Sequence, residues 1–535
     1  MNILWLRRSC WALVVVLMFA AAWLHFAGRI NLLTADLGRH LVNGREFFAS
    51  HLILTTNYYS YTNPDFLALC HHWGIGPFFY ACWQAWGFSG LSAVYTGILW
   101  ATLVLAVFTA RRSAGNGAVV LAGMLALPLA AYRIEIRPEG VSTLFLMIEY
   151  FLLSEWRAGR VRGAWLWVIV LLQVVWVNVH ILFFSGLVLT GVYWLDARLS
   201  FAPADNRCRT INWIFGGALL ASLVNPFTFF GLSQPLSIFQ GYGYDLVENQ
   251  TIFFMLRRFP GNQVYGYFLM LFLASLLLLV ARWSRDGGWR KVLPQALLWL
   301  FFGLMAVKSV RAIAMFSFIF IPVVAESLET LLRHKRQWRR LAGWTGVGLV
   351  FLAVAWPSSL WSPVGKFAPY VAEERHKKAF FYILARPDIW SGLMPGVERS
   401  ADFFKSAGLK GPVFNNYDIG GYFIFYLFPQ ERPFVDNRPE AYPVDFFKRT
   451  YSPMQEQEAV WQAQAQKHGF ELIYFYRHDI TPWAQPFLLR RLDDPQWAPV
   501  FVDDYTLILA RRGGVNQAVI GRHELPRAMF KKTTN

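Results

Sequence analysis

The sequence predicts an α-helical polytopic membrane protein of about eleven transmembrane helices with a C-terminal extracytoplasmic α/β domain, and three observations predict it. Of 535 residues, 56% are hydrophobic and 16% charged, with 24 tryptophans, and the mean hydropathy is +0.34, a balance foreign to ordinary soluble domains. Long apolar runs recur through the first 357 residues and stop there. The basic residues between the runs alternate as cytoplasmic loops do.

Arg7 and Arg8 precede the first run, 10–28, which has no small-residue cleavage site after it and is read as a retained helix rather than a secretory signal. A span needs roughly 20 apolar residues, fewer in a packed bundle. The other spans are therefore placed at 90–110, 117–132, 140–154, 165–177, 181–195, 211–230, 265–281, 292–307, 312–327 and 341–356. Arg111/Arg112, Arg157/Arg160/Arg162, Arg198/Arg207/Arg209, Arg282/Arg285/Arg290/Lys291 and the basic run 333–340 occupy alternate loops. The positive-inside rule makes these loops and the N-terminus cytoplasmic, in the plasma (inner) membrane. The net charge of +17 is thus mostly topological, and because it sits in short loops, nucleic acid is excluded as a partner.

Odd parity puts the chain after Pro357 outside, where polar residues become frequent and no run reaches a spanning length. The expected domains are 1–357, with a first external loop at about 29–89, and 358–535. The second reads as α/β, with strands at 412–414, 433–436, 471–476 and 506–510, a helix at 455–467 and a disordered tail at 527–535. Cys70 and Cys82 share the external loop and either pair or remain buried thiols.

Three groups of polar residues stand where apolar or neutral ones are expected. In the first external loop, a helix from 36 to 48 would put Asp36, His40 and Asn43 on one stripe against Leu37, Leu41 and Phe48, lying along the membrane surface. Asp36 then either marks a helix end or faces a cavity, with His40 one turn away as its partner in acid–base chemistry. His71 and His72, beside Trp73, either pack at the interface or line the same cavity. Neither the cysteine nor the histidine spacing supports a zinc site.

The second group breaks the positive-inside pattern: Arg133 and Arg137 in one external turn, Lys308 and Arg311 in another. Charges at this depth need a partner or a water-filled cavity. Either Arg133 and Arg137 pair locally with Glu135 and Glu139, or the four cations recognise a phosphate or diphosphate. The third is the turn Trp176-Val-Asn178-Val-His180, where Asn178 and His180 either close a helical hairpin by hydrogen bonding or face the cavity.

Asp36, His40, Gly44-Arg45, Tyr59-Ser60-Tyr61-Thr62, His71-His72-Trp73, Arg137-Pro138, Trp176-Val-Asn178-Val-His180, Asn225-Pro226, Asn415-Asn416-Tyr417-Asp418-Ile-Gly420-Gly421 and Asp436-Asn437-Arg438 follow one another in an order that resembles a family. It is the C-fold (GT-C) membrane glycosyltransferases, and within it a group of bacterial multispanning proteins. Two positions differ: Leu37 follows Asp36 where many of these proteins have a second acid, and His72 stands in place of a Glu.

The resemblance implies transfer of a hexosyl or pentosyl group from a polyprenyl-phosphate or polyprenyl-diphosphate donor to an extracytoplasmic glycan, lipid or protein acceptor. Asp36 would be the general base with His40 beside it, and Arg133, Arg137, Lys308 and Arg311 would bind the donor phosphate. His71, His72, Asn178, His180, Asp418, Asp436 and Arg438 would line the substrate cavity. No metal ligand and no cofactor is assigned, and a divalent cation is compatible with the resemblance. The same residues also suit a non-catalytic polyprenyl-glycan carrier of flippase type, or a scaffold of envelope assembly.

Overall fold

A computed structural model describes residues 3–237, 241–286, 288–355 and 391–530. Fourteen helices make up the part before residue 356: α1 (Ile3–Phe26), α2 (Leu37–Ser50), α3 (Ile75–Arg111), α4 (Asn116–Ala130), α5 (Pro138–Arg157), α6 (Trp167–Val179), α7 (Phe184–Ser200), α8 (Asn206–Ala221), α9 (Phe229–Ser237), α10 (Ile252–Arg258), α11 (Val264–Asp286), α12 (Trp289–Lys308), α13 (Ile313–Leu332) and α14 (Arg336–Ala355). By length and composition, six segments among the described residues can cross a membrane, those of α1, α3, α7, α11, α12 and α13. The chain is thus a multi-pass membrane protein, with six rather than eleven helices meeting that measure. Of the other five predicted spans, α4, α6 and α8 are shorter than 18 residues, and α5 carries Glu149, Glu155 and Arg157 within it. The predicted 211–230 span is broken, because α8 stops at Ala221 before the Asn225-Pro226 turn. Proline has no amide hydrogen to continue a helix.

The segment 29–89 carries more helix than its hydropathy suggests. α3 begins at Ile75 rather than Gly90 and bends at Gly87, whose φ of +64° suits a residue without Cβ. α2 forms where the apolar pattern placed it, but it does not lie on a surface: its first eight residues are all buried. Two close backbone approaches hold it. A Cβ on Gly44 would collide with the carbonyl of Gly76 and with Tyr80 on α3. On the other side, a Cβ on Gly38 would strike the carbonyl of Gly421 in the C-terminal domain. Asn43 accepts from the Tyr59 hydroxyl at 2.6 Å and approaches Cys70 Sγ at 3.6 Å. Cys70 and Cys82 are separate, buried thiols.

The C-terminal domain holds one sheet in the order β1 (Val413–Asn415), β2 (Leu472–Tyr476), β4 (Thr506–Arg511), β3 (Trp497–Val502), with β1 and β2 parallel and the other pairs antiparallel. β3 escapes a sequence reading because it contains Pro499, which an edge strand tolerates. The predicted strand at 433–436 is absent. There the side chain of Asn415 replaces a ladder, donating to Val435 O at 2.7 Å and accepting from Phe434 N at 2.8 Å. The predicted helix at 455–467 appears as Ser452–Glu456 and Glu458–His468. The start of the tail is ordered, since Arg527 donates to the carbonyls of Asp493, Asp494 and Trp497; residues 531–535 and the expected boundary at 357 lie outside the described residues.

The domain docks on the loop after α2. Ser60 and Thr62 both donate to Phe434 O at 2.9 Å, and the Tyr61 hydroxyl donates to Val413 O at 2.9 Å. Ile30 bridges to Leu393 just after α1. One apolar core runs without a break from the bundle through Val413, Tyr422 and Tyr474. The basic loops also serve packing: Glu155 binds Arg112 and Arg160, and Arg157 binds Asp196.

Gly44→Ala tests the close approach of α2 to α3. The added methyl should destabilise the fold by about 1–3 kcal/mol, read as a lower thermal unfolding midpoint in detergent; an unchanged midpoint would show that the helices separate freely.

Candidate active site

Asp36 stands at the N-terminal end of α2 without bonding its own helix amides. Its carboxylate is shared among three parts of the chain. Arg137, in the turn before α5, donates to Oδ2 at 3.1 Å; Asn437, in the C-terminal domain, donates to Oδ1 at 2.6 Å; Arg39 Nη2 lies 3.8 Å from Oδ1. Burial pushes the Asp36 carboxyl above its usual range, against the opposing pull of Arg137 and Arg39.

Beside it, three of the predicted cations meet on one acid that sequence reasoning did not single out. Glu248 Oε2 accepts from Arg133 at 2.8 Å and from Arg137 at 3.0 Å, while Oε1 accepts from Arg311. Burial would raise the Glu248 carboxyl, but the three arginines hold it well below its ordinary value. The local pairs expected from the sequence also form, Arg137 with Glu135 at 3.0 Å and Arg133 with Glu139 at 3.4 Å. Lys308 ends α12, directly before the Val310–Ala312 turn that carries Arg311. Glu248 sits in a long loop, 241–251, whose Tyr244 inserts into the C-terminal domain against Tyr417 at 4.4 Å and Phe447 at 5.2 Å. Nothing in the sequence separates Glu248 from Asp245 three residues before it.

The histidines form a buried group next to Asp36 without touching it. His40 packs edge-on to His72 at 5.1 Å and to Phe79 at 6.2 Å, and His71 meets His72 at 4.4 Å. Arg39 Nη1 lies 3.3 Å from His72 Nε2. Burial is the largest influence on all three rings, pushing His40 and His72 well below the usual imidazole range and His71 to about 3, so they are neutral at physiological pH. The expected partnership of His40 with the Asp36 carboxylate is therefore corrected: Arg39, Arg137 and Asn437 occupy that role. Arg39, one turn from Asp36, is not singled out by the sequence pattern.

Asn178 closes its hairpin rather than facing a cavity. It accepts from Trp73 Nε1 at 2.8 Å and donates to the carbonyls of Val174 and Val224 at 2.8 Å each. His180 is buried, and its Nδ1 lies 2.8 Å from Ser142 Oγ, which accepts from Trp176 Nε1. Asp436 and Arg438 are likewise structural. Arg438 donates from Nε and Nη2 to the two Asp436 oxygens at 2.9 and 2.7 Å, reaches Asn57 at 2.8 Å and lies over the Tyr59 ring. With Asp436 wholly buried, this pair clips the first loop to the C-terminal domain. Asn437 between them, which the phrase contained without its being singled out, is the member that reaches Asp36. Asp418 is half-buried, its carboxyl raised by burial and by Asp479 while Arg137 pulls the other way.

Among the described residues no group of three or more His, Cys, Asp or Glu is gathered to hold a metal ion. The oxygens of Asp36 and Glu248 are taken by arginine and asparagine, so this donor set does not fit a divalent cation as it stands.

Two variants separate the roles. Asp436→Asn leaves Arg438 uncompensated and should cost about 3–5 kcal/mol, seen as early proteolysis of the C-terminal domain, whereas an equal lifetime would deny the clip. Glu248→Gln should lower the unfolding midpoint and enlarge the stabilisation given by added inorganic diphosphate. An identical diphosphate response in both proteins would mean that the arginines do not bind such anions.

No family model and no curated protein matches the chain, but solved structures do. The oligosaccharyltransferase of Archaeoglobus fulgidus in the apo form is similar with a TM-score of 0.55 at 10% identity, covering 94% of this chain and 75% of that one. Its complex with Zn and sulfate gives 0.50 at 11% identity, covering 92% and 73%. ArnT from Cupriavidus metallidurans, bound to undecaprenyl phosphate, gives 0.52 at 14% identity and covers 94% of this chain and 97% of that one. The chain has the fold of these GT-C membrane glycosyltransferases.

Proposed function

We propose that the protein transfers a sugar from a polyprenyl-phosphate or polyprenyl-diphosphate donor to an acceptor outside the inner membrane, with Asp36 as general base. The observation that carries this reading is that Arg137 binds the partly buried Asp36 carboxylate and also shares Glu248 with Arg133 and Arg311, which gathers three arginines beside that acid. ArnT, of the same fold, was solved with undecaprenyl phosphate, a lipid of the proposed donor class.

The acceptor hydroxyl attacks the anomeric carbon, its proton passes to Asp36, and the bond from that carbon to the lipid phosphate oxygen breaks with its electron pair on the phosphate. Asp36 makes the nucleophile stronger as the proton leaves. The arginines stabilise the charge that develops on the departing phosphate, exchanging Glu248 for it. One displacement inverts the anomeric centre. Asn437 and Arg39 orient the carboxylate, and the neutral histidines add no competing charge. The C-terminal domain, placed outside with the N-terminus in the cytoplasm, brings Asn437 and Asp418 to the acceptor side. A divalent cation would have to displace Arg137 or Asn437 from Asp36.

The test is transfer from a panel of labelled polyprenyl-phosphate and polyprenyl-diphosphate sugars by purified protein, with and without chelator. Asp36→Asn should lower the rate by about 10²–10⁴-fold, whereas donor binding without transfer from any donor would make the protein a carrier. Because the Asp36 carboxyl is raised, the rate should fall on acidification at a pH above the ordinary carboxylate range. Arg137→Gln, which removes an opposing charge, should move that fall higher still. A limb at an ordinary carboxylate value, unmoved by the substitution, would exclude Asp36 as the base.

A further inference from the structure

The interior of the bundle contains an acid that the site above does not use. Glu149, midway along α5, is 0% exposed, and neither carboxylate oxygen has a hydrogen-bond partner among the described residues. Facing it from α6 is Gln173, also wholly buried. The orientation of its amide is set by its donor end, since Nε2 donates to Phe183 O at 3.2 Å and to Ser222 Oγ at 3.0 Å. The oxygen end therefore points away from those acceptors, and Oε1 has no partner.

Both acceptors converge on one spot. A Cβ built on Gly186 of α7 would lie 2.9 Å from Glu149 Oε2 and 3.0 Å from Gln173 Oε1, with the Trp176 ring at 2.8 Å. The buried hydroxyls of Ser185 and Thr190 on the same helix are also without partners. Oxygens that face one another with no donor between them repel, and an unpaired carboxylate between apolar helices is costly. Neutrality requires one positive charge at this point. A single carboxylate with one amide oxygen suits a proton or a hard monovalent ion better than a divalent or thiophilic metal.

We propose that Glu149 and Gln173 form a buried binding site for a single positive charge, supplied as a proton on the carboxyl or as an alkali-metal cation, in the space that Gly186 leaves open. Trp176 links this site to Ser142 and His180. Its ring packs at Gly186, and its indole Nε1 donates to Ser142, which holds His180. The inference stands independently of the proposed transferase reaction.

The test uses the full-length protein in lipid nanodiscs. Infrared difference spectra of wild type against Glu149→Gln at neutral pH should contain a protonated-carboxyl stretch that the variant lacks, which assigns a proton. If that band is missing, the unfolding midpoint of wild type should rise in sodium or potassium chloride relative to choline chloride at equal ionic strength, with the rise lost in Glu149→Gln, which assigns an alkali ion. Neither the band nor an alkali-specific rise overturns the site. Should Glu149→Gln not fold, Gln173→Leu serves instead: it should shift the carboxyl band or abolish the ion response, and an unaltered signal overturns the pairing.

Discussion

The Asp36 carboxylate is the meeting point on which this end of the molecule depends. Arg137 reaches it from the helical bundle and Asn437 from the C-terminal domain. A partly buried carboxylate among so many charges is stable only when its oxygens are satisfied. The same constraint explains why Arg137 is shared with Glu248. The site holds several charges of both signs at close quarters, and Arg133, Arg137 and Arg311 each pair with an acid from a different segment. The resulting network fixes the positions of the turn before α5, the 241–251 loop and the head of α2 together.

The second constraint is steric. α2 is wedged between the start of α3 and the Gly420–Leu427 helix, with glycine backbones in contact on both sides. Side chains could not bring Asp36 and Asn437 together at this distance if either contact carried a Cβ. Gly44, Gly38 and Gly421 thus have a plain physical reason: they set the spacing at which polar groups on three segments can share one acid.

Much of this was legible in the sequence. Helical periodicity located α2, and the breach of the positive-inside pattern picked out Arg133, Arg137 and Arg311 because a misplaced charge needs an explanation. What stayed hidden was pairing across long sequence separations. Asn437 and Glu248 are ordinary polar residues until a fold sets them against Asp36 and the arginines. Asp436 and Arg438 resembled ligand-binding residues because a buried ion pair and a binding site use the same chemical groups. The count of eleven spans is not confirmed for a related reason: helices packed inside a bundle can be short or carry buried acids, as α5 does with Glu149, and hydropathy alone does not separate them from helices facing lipid.

The hydrogen bond from Asn437 to Asp36 spans 401 positions of the chain. During synthesis the acid emerges early and its partner near the end, after every helix of the bundle has been made. The nascent chain therefore reaches the membrane with the Asp36 carboxylate lacking its Asn437 partner, and this bond closes only when the last third of the protein has folded onto α2. Assembly order thus leaves the Asp36 network incomplete in any partly made chain.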